Sequence, residues 1–248
     1  MIFDQTMKLN KIATKTLREH VYGQLREKII SAEILPGQVM TLQGLADQLG
    51  VSFMPIREAL WQLESEQVIV IESNKRIRVN TLAAREMEEI LRIRLVLESM
   101  AAEAACGLRT DQAIPKVKRF LDAMEANISD PKKHMIANSQ FHLGIYACAE
   151  APILLRIIEW IWARIGPYLV ISSKAEGNRE ALRWHRGMFE AFVEKDKERM
   201  TESLRADLEG AAKIIIPSLK PLTEPGTDGI MRREAARTVP LRQQKGGR

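Results

Sequence analysis

The sequence predicts a mostly α protein, an N-terminal winged helix-turn-helix followed by an all-helical antiparallel bundle. Three observations carry this. Apolar residues recur at helical spacing on both sides of Gly50. Two short β-branched runs, Val68 to Ile71 and Ile77 to Val79, follow directly. Beyond Val79 every patterned segment has the helical period and none alternates as a strand does. With 248 residues and 46% hydrophobic content, two modest domains can each bury a core.

Residues 1–15 are polar and unpatterned and are expected to form a flexible arm. From Thr16 to Ile30, Leu17, Val21, Leu25 and Ile29 make one stripe, and Thr16 with Glu19 fits a capping box. Leu35-Pro36-Gly37 then turns the chain. In TLQGLADQLGVSFMPIREALWQLESEQ, Thr41 to Gln67, the apolar positions Leu42, Leu45, Ala46 and Leu49 stop at Gly50 and restart as Ile56, Ala59, Leu60 and Leu63. Thr41 and Ser52 can cap the two helices, Gly50 can take the left-handed conformation between them, and Pro55 is tolerated in an opening turn.

In a helix-turn-helix the second helix lies in the DNA major groove and shows its first residues to base edges. Ser52, Phe53, Met54 and Arg57, with Gln43 on the preceding helix, are therefore the candidate DNA-contacting residues. The hairpin after them makes a wing, residues 16–80 completing the domain. Lys75 and Arg76 at its tip, with Arg78, would gain from phosphate contacts by releasing counterions, although a basic turn can also be merely solvated.

Net charge does not identify a nucleic-acid binder here. Lys and Arg against Asp and Glu count 10 and 9 for residues 1–80, 20 and 20 for 81–216, and 7 and 3 for 217–248, so the excess of +5 sits mostly in the tail. The placement of a few cations has to carry the DNA reading. That tail, punctuated by proline and glycine, is expected to be disordered and basic. No apolar run is long enough to span a membrane and the start lacks a signal-peptide core, so a cytoplasmic location with no membrane partner is expected. Cys106 and Cys148 stand in alanine-rich helical surroundings without metal-ligand spacing and read as reduced core residues.

Residues 81–216 read as six helices: a long one from Leu82 to about Leu108, then Asp111 to Ile128, His134 to Ala149, Pro152 to Ile165, Arg179 to Lys195 and Lys197 to Ile215. Short loops between them suit an antiparallel bundle around a cavity. Arg94 falls on the inward stripe of the first helix with Met87, Ile90, Leu97 and Ala101, and an inward arginine needs an anion because it cannot be deprotonated. Glu98 at i+4 is one candidate partner. Asn138 and His142 share a helical face with Phe141 and Ile145; His185 lies on the stripe of Leu182, Phe189 and Phe192, and Asp207 on that of Met200, Leu204 and Ala211. Four polar groups aimed at one apolar interior would be resolved by a shared cation or a polar ligand.

LADQLGVS followed by PIREALWQLESEQVI resembles the winged helix of GntR-family transcription regulators, and the downstream helices resemble the FadR-like branch with its FCD ligand-binding domain. The resemblance spans about residues 14–213 and implies a ligand-responsive homodimer on a palindromic operator. It also implies that Arg94 holds the carboxylate of a small organic acid, and that NSQFH, WHRGMFEA and RADLEGA supply a divalent metal site. There Asn138 stands for the usual aspartate and Asp207 for a usual histidine. The resulting N2O2 set would suit zinc, nickel or manganese less tightly than the usual one. Phe53 and Met54 replace the arginine and threonine of the usual V-S-R-T-P turn and would pack on thymine methyls or wedge at a base step. Two rival readings follow from the same residues: a metal-dependent hydrolase built on His142, His185 and Asp207, and an interaction module that has lost sequence-specific DNA binding.

Overall fold

The computed structural model describes residues 17–73, 75–172 and 175–219; the expected arm, the Thr16 of the expected capping box and residues 220–248 of the expected tail lie outside them. Helix α1, Leu17–Ile30, buries Val21, Leu25 and Ile29 of the predicted stripe, with Ile30 beside them, while Leu17 at its first turn is exposed. Strand β1, Val39–Met40, follows, then α2, Leu42–Leu49, and α3, Phe53–Ser65. Thr41 caps α2 by accepting from the Gly44 amide, and Gly50 ends it at φ 65°, a conformation glycine takes without a Cβ penalty. Ser52 sits at the N-cap of α3, but its side chain makes no cap hydrogen bond, contrary to the sequence expectation. Helix α3 buries Ile56, Ala59, Leu60 and Leu63. Ile56, Leu60 and Leu63 each contribute about 1.5 to 3 kcal/mol by leaving water.

Strands β2, Ile69–Ile71, and β3, Ile77–Val79, form the wing, with β3 in the middle of the order β1-β3-β2 and both pairings antiparallel. Two residues are too few to show a period, so β1 leaves no signal in the sequence.

The second core lies among α4, Ala84–Leu108; α5, Ala113–Ala126; α6, Pro131–Tyr146; α7, Pro152–Ser172; α8, Ala175–Glu194; and α9, Lys197–Ser218. No strand occurs after Val79 among the described residues. Helix α7 runs on through Gly166 and Pro167, where the local signal predicts its end at Ile165. Packing on both sides overrides that signal, since Ile165, Gly166, Pro167, Tyr168 and Leu169 are all buried. Pro217 likewise lies inside the last turn of α9 rather than after it.

Helix α7 belongs to both cores. Ala163 is part of the winged-domain core, whereas Ile161, Trp162 and Ile165 belong to the helical one. The Trp160 indole donates to the Glu66 carbonyl at 2.8 Å, Arg26 donates to the Glu159 carbonyl, and Gly166 crosses α1 at Ile30 so closely that a Cβ there would lie 2.7 Å from the Ile30 Cα. The winged domain is thus seated on one face of α7.

Candidate functional site

The N-terminal end of α3 projects away from its buried stripe. Ser52, Phe53, Met54 and Arg57 are all exposed, Phe53 to 42% and Met54 to 61%. Trp61, one turn beyond Arg57 on the same helix, is 57% exposed. It lies off the apolar stripe of α3 and at i+4 from Arg57, the spacing by which the sequence could have placed it on the exposed face. Gln43, in the first turn of α2, is exposed and its amide donates at 2.8 Å to Asp47, one turn further on. Lys75 and Arg76 are exposed in the wing turn, where Lys75 takes a positive φ of 63° and its amide donates to the Glu72 carbonyl. Arg78 is instead tied down, donating to the Glu72 carboxylate and the Gly37 carbonyl, both at 2.8 Å, so its role is to brace the wing.

In the helical domain a cavity of about 430 Å³ is lined by Arg94, Asn138, His142, Trp162, His185 and Asp207 among others. Helices α4, α6, α7, α8 and α9 each place a residue there. His142 Nε2 lies 3.1 Å from His185 Nε2 and 3.4 Å from Asp207 Oδ2, and His185 Nε2 lies 3.4 Å from Asp207 Oδ1. These edges suit a cation bound at about 2.1 Å from each atom, for which adjacent ligands are about 3.0 to 3.4 Å apart. His185 Nδ1 is buried without a hydrogen-bond partner, and the ligand atoms of the three residues lie within 4.8 Å of one another. The donor set therefore fits a divalent cation. Asn138, one turn before His142, is buried beside it on the cavity wall.

The electrostatics agree. Burial pushes the Asp207 carboxyl up, but the His185 and His142 imidazoles and Arg94 outweigh it and bring the group down to about 2. Burial lowers His185 to about 4 against the opposing pull of Asp207. An anionic carboxylate beside a neutral imidazole is the protonation state a metal ligand set requires.

Arg94 is buried and pairs with Glu98 through Nε at 2.5 Å and Nη2 at 3.3 Å, as the i+4 spacing predicts. Its Nη1 is not committed to that pair. Glu98 also accepts from Tyr146 Oη at 2.7 Å and Trp162 Nε1 at 3.2 Å, two partners on other helices that no spacing within α4 reveals. Tyr146 Oη in turn faces His142 Nδ1 at 3.1 Å. His134, at the start of α6, lines the cavity too and is held by the Met124 carbonyl at Nδ1, 3.1 Å away; burial lowers its pKa. The sequence reading did not single it out because its position coincided with the expected helix start.

Residues 17–79 match the model of bacterial regulatory proteins of the gntR family, and residues 89–210 match that of the FCD domain. The chain is 30% identical over 193 residues to the HTH-type transcriptional regulator McbR of Escherichia coli (strain K12), across 76% of this chain and 87% of that protein. It is 27% identical over 198 residues to the gluconate operon transcriptional repressor of Bacillus licheniformis, across 75% and 79%. The solved structure of E. coli McbR/YncC superposes with a TM-score of 0.78 at 28% identity, covering 83% of this chain and 99% of that one. These relatives are regulators of transcription and not enzymes, which sets aside the hydrolase reading. Among the described residues no helix is long and apolar enough to cross a membrane. With its winged helix-turn-helix at the N-terminus and its FCD domain behind it, the chain belongs to the GntR family of bacterial transcription regulators.

Proposed function

We propose that this regulator is a cytoplasmic homodimer that binds a palindromic DNA operator and changes its operator affinity when the FCD cavity takes a small organic acid together with a divalent cation. The observation that carries the reading is the cavity itself, roomy enough for a metabolite, with His142, His185 and Asp207 at one side and Arg94 within electrostatic reach of Asp207. Asn138 completes the proposed ligand set. When bound, zinc, nickel or manganese supplies a positive centre for an acid's oxygens. Arg94 Nη1 is the group that would meet the same carboxylate.

On the DNA side, Ser52, Phe53, Met54, Arg57 and Trp61 form the groove-facing end of α3, Gln43 supports it from α2, and Lys75 and Arg76 reach phosphates from the wing. Phe53 and Met54 suit thymine methyls. Helix α7 joins the two activities, because Trp162 forms part of the cavity wall while Ala163 and Gly166 seat the winged domain. A ligand that binds one seating better than another shifts the population, and operator affinity follows by linkage.

The second copy is assigned to a face the sequence reading did not isolate. Ile93, Val96 and Met100 on α4, and Ile153, Ile157 and Trp160 on α7, are exposed at helical spacing. Apolar residues exposed in rows on two helices are the usual mark of an interface, and a two-fold operator calls for two copies. Val96→Glu is expected to shift the protein to a monomer in sedimentation velocity without lowering its helix content; an unchanged dimer would move the interface elsewhere.

The ligand reading is tested by thermal shift with a panel of organic acids, each with and without zinc, nickel or manganese. An acid at a hundredfold its Kd adds about 2.7 kcal/mol of stability, visible as a rise in Tm. The expected result is a rise that needs acid and metal together and is lost in His142→Ala. No rise with any pair contradicts the reading.

A further inference from the structure

We infer that Glu98 and Tyr146 are positioning residues that fix the tautomer of His142, holding its hydrogen on Nδ1 and turning the Nε2 lone pair toward Asp207 and His185. The geometry stands by itself; its use in holding a cation rests on the reading above.

The inference is an accounting of hydrogens. Glu98 is fully buried, and a carboxylate only accepts. Two of its four donors come from Arg94, whose guanidinium keeps its protons, and a third is the Trp162 indole, which is a donor only. The fourth is the Tyr146 hydroxyl at 2.7 Å. Tyrosine has one hydroxyl hydrogen, and neither Glu98 oxygen has one to offer in return, so that hydrogen lies on the Glu98 side. The phenolic oxygen is left to face His142 Nδ1, 3.1 Å away, with a lone pair. The ring must then supply the hydrogen at Nδ1. In a neutral imidazole this leaves Nε2 as the acceptor.

That lone pair points at Asp207 Oδ2 at 3.4 Å and His185 Nε2 at 3.1 Å. With the His142 lone pair and the Asp207 carboxylate both turned inward, the space between them takes a cation or, in its absence, a hydrogen on His185 Nε2. The opposite tautomer would put a hydrogen where a cation has to sit, satisfying Asp207 internally and closing the site. The relay crosses three helices, with Arg94 and Glu98 on α4, His142 and Tyr146 on α6 and Trp162 on α7, each within-helix pair being four residues apart. Partners that orient a metal-binding histidine typically account for a 10- to 100-fold change in metal affinity.

The test is the ¹⁵N shift pattern of the His142 ring in the full-length, metal-free protein, paired with Zn(II) titration against a competing chelator. Wild type is expected to show the Nδ1–H tautomer. Tyr146→Phe keeps the ring but removes the acceptor, and is expected to move His142 to Nε2–H and to weaken Zn(II) binding at least tenfold while the far-UV CD is unchanged. Glu98→Gln is the second variant, useful whether or not Tyr146→Phe folds: its amide can donate to Tyr146, reversing the hydroxyl toward His142 Nδ1 and producing the same tautomer change. An Nε2–H tautomer in wild type, or folded variants that keep both the tautomer and the Zn(II) affinity of wild type, overturns the inference. A wild-type Nδ1–H tautomer that responds to both variants, in a protein that binds no divalent metal, upholds the relay and overturns the cation reading of the preceding section.

Discussion

Gly166→Ala is expected to lower stability by about 1 to 3 kcal/mol, the usual penalty for forcing atoms into a filled space, and to disconnect ligand binding from DNA binding. The added Cβ would lie 2.7 Å from the Ile30 Cα and 2.8 Å from its carbonyl oxygen. Both are backbone atoms, so no side-chain rotation relieves the contact and α1 must move off α7. For a protein of this size the loss corresponds to a fall in Tm of about 2 to 4 °C per kcal/mol. The cavity meets α7 through Trp162, Leu169 and Ser172 and not through Gly166, so Zn(II) affinity should persist. Gly23→Ala is the matched control. It lies in the interior of α1, nothing comes within 4 Å of a Cβ there, and the same substitution should stabilise by about 0.5 to 1 kcal/mol through helix propensity. Thermal melts of both variants check the opposite signs. A Gly166→Ala protein as stable as wild type would show that α1 and α7 are not pressed together.

The metal-free protein is also expected to lose about 3 kcal/mol of stability as the pH falls from 6.5 to 4. His185 is lowered from 6.5 to about 4 chiefly by burial, so in this window the unfolded chain binds a proton that the folded chain does not. Each pH unit between the two values is worth about 1.4 kcal/mol, and the loss levels off below the folded value. His134, also lowered by burial, adds in the same direction. Asp207 acts lower down. Its folded value of about 2 lies under the ordinary 3.8, so its contribution is complete above 3.8 and disappears as the pH falls toward 2. Urea unfolding at pH 7, 6, 5 and 4.5 in the presence of a chelator measures the slope. His185→Gln should flatten it; a wild-type stability independent of pH across this range would contradict the burial of a neutral imidazole.

The parts of the fold that rest on local chemistry were readable before any coordinates. Thr41 and Gly50 fix the turn of the helix-turn-helix through a cap and a left-handed residue, and the stripe of Ile56, Ala59, Leu60 and Leu63 fixes the face of α3 that packs inward. His142, His185 and Asp207 were readable because each interrupts an apolar stripe. The sequence could not show that Tyr146 and Trp162 converge on Glu98, since those pairs are 48 and 64 residues apart. Nor could it show that α7 continues past Gly166 and Pro167, where burial on two sides wins over two helix-breaking residues. The exposed faces of α4 and α7 were hidden for a different reason. Both helices carry apolar residues inward and outward, so their periodicity names a helix without saying which face meets solvent.

The most direct test of the whole account is equilibrium binding to duplex DNA from the region upstream of the protein's own coding sequence, read by fluorescence anisotropy over a salt series from 50 to 200 mM, with Arg57→Ala alongside. Arg57 stands exposed near the N-terminal end of α3. The account predicts sequence-selective binding that weakens steeply with salt, and a loss of about 1 to 3 kcal/mol, roughly 5- to 150-fold, in Arg57→Ala. Equal affinity for that DNA and for a scrambled duplex at every salt concentration, unaltered by Arg57→Ala, would contradict it and favour an interaction module in which Phe53, Met54 and Trp61 meet another protein.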